Sequence, residues 1–95
     1  MKLIWARQAE RARADAINYI ASDNVTAAQN MIGEIERQVT MLTRFPELGR
    51  PGRIANVREL VIHKTPFIVV YRINLNLQRI ELFRFLHTSQ RRPAR

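Results

Sequence analysis

A chain of 95 residues is long enough for one modest hydrophobic core and too short for two. It has no cysteine, which excludes a disulfide framework and a thiolate metal site, and its apolar runs are too short to span a bilayer. Sixteen Lys and Arg against eight Asp and Glu give a net charge of +8, so the expected partner is polyanionic: nucleic acid or an acidic protein segment.

The charge is unevenly placed. Residues 1–48 hold six basic and six acidic groups, whereas residues 49–95 hold ten basic groups opposed only by Glu59 and Glu81. Function is therefore sought in the C-terminal half. Arg7 and Glu10 interrupt any apolar leader, so a cytoplasmic protein that crosses no membrane is expected.

In chain order, Lys2–Trp5 is a short apolar run that predicts an edge strand. From Ala6 the pattern turns helical, with Ala9, Ala12, Ala16, Ile17 and Ile20 recurring at three and four. Ser22-Asp23-Asn24 breaks that pattern and makes a tight link. Thr26 to Gln29 has capping-box spacing and predicts the start of a second helix. Ala28, Met31, Ile32, Ile35, Val39 and Leu42 then form an apolar stripe, leaving Glu34, Glu36, Arg37 and Gln38 for the polar side. So short a link predicts an antiparallel helical hairpin lying on one face of a sheet.

Residues Phe45–Arg53 contain two prolines and two glycines, and Gly49 and Gly52 are expected to be free to adopt positive φ. The Gly-x-x-Gly spacing there lacks the Lys-Ser/Thr of a phosphate-binding loop, so it reads as a structural turn. Three β-type runs follow, Val57–Lys64, Phe67–Ile73 and Gln78–Leu86, joined by Thr65-Pro66 and the polar Asn74–Leu77 turn. The expected fold is one α+β domain over 1–95, ordered β-α-α-β-β-β, with the hairpin on one face of a small, mainly antiparallel sheet.

Strict alternation puts Ile80, Leu82, Arg84 and Leu86 on one face of the last strand, with Glu81, Phe83, Phe85 and His87 on the other. In the middle strand Phe67, Val69, Tyr71 and Ile73 oppose Ile68, Val70 and Arg72. Both faces are largely apolar, so the face without helices is expected to be covered by a partner segment. Arg58, Lys64, Arg72, Arg79 and Arg84 thread through these strands, with His63 and His87 near strand ends. The tail Thr88–Arg95 adds Arg91 and Arg92. Two histidines with scattered acids have no convincing metal spacing, and no metal or cofactor is expected.

The chain resembles the RelE/ParE superfamily of bacterial toxins from type II toxin–antitoxin pairs. The resemblance rests on Tyr19-Ile20-Ala21, Asn24 and Ala27-Ala28, then on Phe45-Pro46-Glu47-Leu48-Gly49-Arg50-Pro51-Gly52. It continues through Arg58-Glu59-Leu60-Val61-Ile62, Thr65 to Ile73, and Arg84-Phe85-Leu86-His87. It implies the fold above and a hetero-oligomer with a co-expressed antitoxin, small, acidic and partly disordered when free. The superfamily divides by target: the RelE-like branch cleaves mRNA in the ribosome, and the ParE-like branch poisons DNA gyrase.

A nuclease needs a base for the 2′-hydroxyl, cations on the phosphate and an acid for the leaving oxygen. His87, Arg84 and His63 would supply these in a nuclease, with Glu59 as a further proton acceptor. The pattern departs from that branch at three places. Ile68 stands where an arginine is usual, the Glu59–Ile62 run replaces strand lysines, and no Tyr or Trp follows His87. The ParE-like side is therefore favoured. Arg58, Lys64, Arg72, Arg84, Arg91 and Arg92 are the residues expected to bind the target or the antitoxin. A basic nucleic-acid-binding module without toxicity is the alternative from another class.

Overall fold

Strand β1 (Lys2–Trp5) opens the chain at one edge of the sheet, as its apolar run predicts. Its last residue leads directly into helix α1 (Arg7–Ala21), which a tight turn joins to helix α2 (Val25–Thr40). The computed structural model describes residues 1–90, so Arg91 and Arg92 lie outside the described residues. α2 begins earlier than the expected capping box. Asn24 is the N-cap, and its side-chain oxygen accepts from the Ala27 amide at 3.0 Å. Asn in extended backbone can satisfy that free amide directly, which puts Thr26 inside the first turn.

The strands that follow are β2 (Arg50–Pro51), β3 (Val57–Ile62), β4 (Phe67–Asn74) and β5 (Arg79–His87). They form one sheet in the order β1-β5-β4-β3-β2, with β1 parallel to β5 and the other pairs antiparallel. β2 is an addition to the expected order: the loop read as a plain turn also pairs Arg50 with Glu59 and Pro51 with Arg58.

The hairpin covers one face. Ile35, Val39 and Leu42 are buried with Leu60, Ile62, Val69, Tyr71, Ile80 and Leu82 in one cluster. Burying a side chain such as Ile35 stabilises by about 1.5–3 kcal/mol. The α2 stripe needs two corrections. Ile32 is exposed, because it lies on the outer side of the groove between the two helices. Gln38, assigned to the polar side, is buried. Its amide is fully used, as described below, so burial carries no unpaired polar group.

β5 departs from simple alternation. Val70 pairs with Arg84 but Tyr71 pairs with Leu82, so Phe83 is an extra residue in a β-bulge. Past the bulge the faces exchange. Ile80, Leu82, Phe85 and His87 share the helix side, and Leu82 and Phe85 are not on opposite faces as expected. Phe85 thereby reaches Phe67 at 4.9 Å and Trp5 at 6.5 Å between ring centres. Phe83 turns to the other face, where the Arg72 guanidinium lies 5.8 Å from its ring centre.

That second face is not a bare apolar surface awaiting cover. Ile68 is 2% exposed and Val70 8%, flanked in register by Val61 and Leu86 and by Glu59 and Arg84. The glycine expectation also changes. Neither Gly49 nor Gly52 has positive φ; Asn56, Lys64 and Gln78 do. Gly49 is required by close approach, since a Cβ there would sit 2.7 Å from the Tyr71 ring and 2.8 Å from the Glu59 carbonyl oxygen.

Candidate functional site

Most of the charged and imidazole side chains singled out in the sequence fall into three groups, and Arg84 stands apart from them. The first is a clasp under the Pro46–Leu48 turn. Tyr71, with no exposed surface, donates its hydroxyl to the Pro46 carbonyl at 2.6 Å and accepts from the Gly49 amide at 2.9 Å. Burial raises the Tyr71 pKa above its ordinary value, and the Gly49 amide and the Arg58 charge oppose that rise. Arg58 donates to the Gly49 carbonyl at 2.7 Å and the Glu47 carbonyl at 3.2 Å. Its guanidinium therefore holds the turn down on the sheet.

The second group lies at the β4–β5 turn end. Glu81 accepts from Arg79 at 2.8 Å, Arg72 at 3.1 Å and Asn74 at 3.3 Å. The hydrogen bond from Arg79, then that from Arg72, holds its carboxyl below the ordinary value, against a smaller desolvation effect. Because the folded-state pKa is lowered, the associated stability is present above about pH 4.5 and is lost as pH falls through the folded value. Glu81→Gln is thus expected to flatten the acid limb of a stability–pH curve measured by urea denaturation. Parallel wild-type and variant curves below pH 4.5 would show that this cluster contributes nothing.

The third group sits at the opposite end. Strand directions bring His63 and Lys64, just beyond β3, to the same end of the sheet as His87, which closes β5. Gln38 grips the His63 backbone from both sides: its oxygen accepts from the His63 amide at 2.8 Å, and its nitrogen donates to the His63 carbonyl at 2.9 Å. His87 Nδ1 accepts from the Ser89 amide at 3.0 Å and lies 2.9 Å from the Ser89 hydroxyl. An Nδ1 that accepts an amide leaves the ring proton of the neutral imidazole on Nε2.

Arg84 is exposed on the face away from the helices and makes no ion pair among the described residues. His87 is on the helix side, so the sheet separates the two. His63 and His87 are two strand spacings apart, roughly 10 Å. Gln38 and the Tyr71 clasp were missed as site-forming groups. Gln38 had one legible signal, since it falls between Ile35 and Leu42 at the stripe's own spacing.

Residues 3–92 match the family described as "ParE toxin of type II toxin-antitoxin system, parDE". The chain is 37% identical over 93 residues to "Putative toxin Y4kP" of Sinorhizobium fredii, spanning 97% of this chain and 93% of that protein. Its fold is similar to a structure titled "Chromosomal ParDE TA system from P. aeruginosa", with TM-score 0.77 and 23% identity over 92% of this chain and 95% of that one. A second similar fold is titled "YoeB/ParE toxin from Agrobacterium tumefaciens", with TM-score 0.56 and 20% identity over 92% and 98%. At those identities the two structures bear on the fold alone.

Proposed function

The chain belongs to the ParE toxin family of type II toxin–antitoxin systems, and we propose that it arrests growth by binding DNA gyrase in the cytoplasm. A cognate antitoxin, small, acidic and partly disordered when free, neutralises it by forming a hetero-oligomer. The observation that carries the gyrase reading is the scatter of the groups a nuclease would need. Side chains that cleave RNA must converge within hydrogen-bonding reach of one phosphate. Arg84 and His87 leave β5 on opposite faces, Arg72 is engaged by Glu81, and Arg58 by loop carbonyls. Such an arrangement supports action by binding.

RelE-like cleavage is the second reading: His87 is an exposed imidazole that ends the last strand, where a side chain could reach a bound RNA.

Purified protein is expected to inhibit DNA supercoiling by gyrase, and induced cells to filament with an SOS response. His87→Gln is expected to keep substantial activity in both assays, since a binding protein loses one contact worth about 1 kcal/mol. A nuclease would lose about 10²–10⁴-fold in rate. A folded, antitoxin-binding His87→Gln protein with no toxicity, alongside ribosome-dependent mRNA cuts by the wild type, would overturn the gyrase reading.

A further inference from the structure

We propose that one end of the sheet, where the β4–β5 turn, the loop from Gly52 to Asn56 and the start of β1 come together, is the surface by which this protein grips a folded target protein. Backbone hydrogen bonds fix that meeting. The Asn56 carbonyl accepts from the Ile73 amide at 2.9 Å, and the Gln78 carbonyl accepts from the Lys2 amide at 3.2 Å. Ile54 on the loop is 71% exposed, and Leu75 and Leu77 on the turn are 59% and 58% exposed. Turn positions ordinarily carry Gly, Pro, Asn, Asp or Ser, and the fold itself gains little from aliphatic side chains left in water there. A cluster of such side chains marks an interaction surface.

Both segments are built to hold one shape. Asn74 Oδ1 accepts from the Leu77 amide at 3.1 Å. The Leu75 carbonyl accepts from the Gln78 amide at 3.3 Å and from the Gln78 side chain at 2.9 Å. In the neighbouring loop the Ile54 carbonyl accepts from the Val57 amide at 3.1 Å. Asn56 and Gln78 have φ of 67° and 52°, in the left-handed region where glycine is the easier choice. Residues held in this way persist where the surrounding structure over-determines them, and they gather at binding sites. Tips already fixed in place lose little freedom on association.

Charge selects the partner. Lys2, Arg53, Arg72 and Arg79 lie around the tips. Glu81 is the acid set among them, shared between Arg72 and Arg79, so the end stays positive. A second copy presented end to end would set these cations against one another, which disfavours self-association. Nucleic acid fits less well. Arg72 and Arg79 already engage Glu81, and none of the three tips is an aromatic ring able to stack on a base. What fits is a folded protein with an apolar depression rimmed by carboxylates. Ile54, Leu75 and Leu77 enter the depression, while Lys2 and the guanidinium groups meet the rim. On the gyrase reading, on which this assignment rests, that partner is gyrase.

The test compares inhibition of gyrase supercoiling by the full chain and by variants at the tips. Leu75→Ser/Leu77→Ser is expected to need a concentration about tenfold higher or more for half inhibition, with an unchanged melting temperature. Ile54→Ser, on the other segment, is expected to lose several-fold, and Lys2→Glu likewise. Tyr19→Ser, at a position 82% exposed on α1, should inhibit as the wild type does. Unchanged inhibition in both tip variants, or an equal loss in Tyr19→Ser, would overturn the proposal. So would wild-type binding to a bare DNA duplex that disappears in Leu75→Ser/Leu77→Ser, since the surface would then be a nucleic-acid contact. If the double variant fails to fold, Ile54→Ser decides alone. A wild type without effect on gyrase removes the gyrase reading and this assignment together. An active wild type with equally active tip variants removes this assignment only.

Discussion

Ile35→Asp is expected to yield no folded protein at 25 °C. Ile35 is 1% exposed and lies midway along α2, in the cluster that joins the helix to β3, β4 and β5. The change removes about 1.5–3 kcal/mol of apolar burial. It also places a carboxylate among apolar side chains of the core, which costs several kcal/mol more or forces protonation. Against a total stability of about 5–15 kcal/mol for a domain of this kind, that sum removes most or all of the folded state. Far-ultraviolet circular dichroism and thermal melting decide the matter. A cooperative melt at the wild-type temperature would mean that α2 does not pack on the sheet through this residue.

The second large effect is expected from Tyr71→Phe. The ring stays buried and only the hydroxyl goes, but that oxygen both donates to the Pro46 carbonyl and accepts from the Gly49 amide. Two backbone groups lose their partner at once. An orphaned buried group costs about 1–3 kcal/mol, and water can recover part of this near the surface turn, so a loss of about 2–4 kcal/mol is expected. Urea denaturation gives the total. Hydrogen exchange at the Gly49 amide locates it, because that amide should become the most accelerated in the turn. A stability change below about 0.5 kcal/mol, typical of a surface substitution, would show that Arg58 alone holds Pro46–Leu48 in place.

Both effects follow from features with different legibility in the sequence. Ile35 announces itself by its place in a 3.6-residue stripe, and the hairpin, the three-strand meander and the edge position of β1 follow from comparable local patterns. The resemblance to the RelE/ParE superfamily was legible too, because it rests on runs of adjacent residues. The clasp is different. Tyr71 and Pro46 are 25 residues apart, and nothing local in either says that they meet. Gly49 shows why identity alone misleads. A glycine in a loop suggests a positive φ, but here it keeps an ordinary φ and is needed because a tyrosine ring passes where its side chain would be.

The bulge at Phe83 marks the boundary most clearly. Strict alternation is a property of one strand, and it assigned Leu82 and Phe85 to opposite faces. The pairing with β4 inserts one extra residue, and both side chains turn to the core. Gln38 carries the same lesson: its polarity argued for solvent, and the unpaired backbone of His63 drew it inward. The sequence by itself determined the β-α-α-β-β-β order that the short β2 extends, most of the core stripe and the basic C-terminal half, since each is written in neighbouring residues. Only the tertiary structure decided which face each strand residue takes, which cations remain free, and which loops share one end of the sheet. Those depend on hydrogen-bond register and on close approach between distant segments, which local periodicity does not encode.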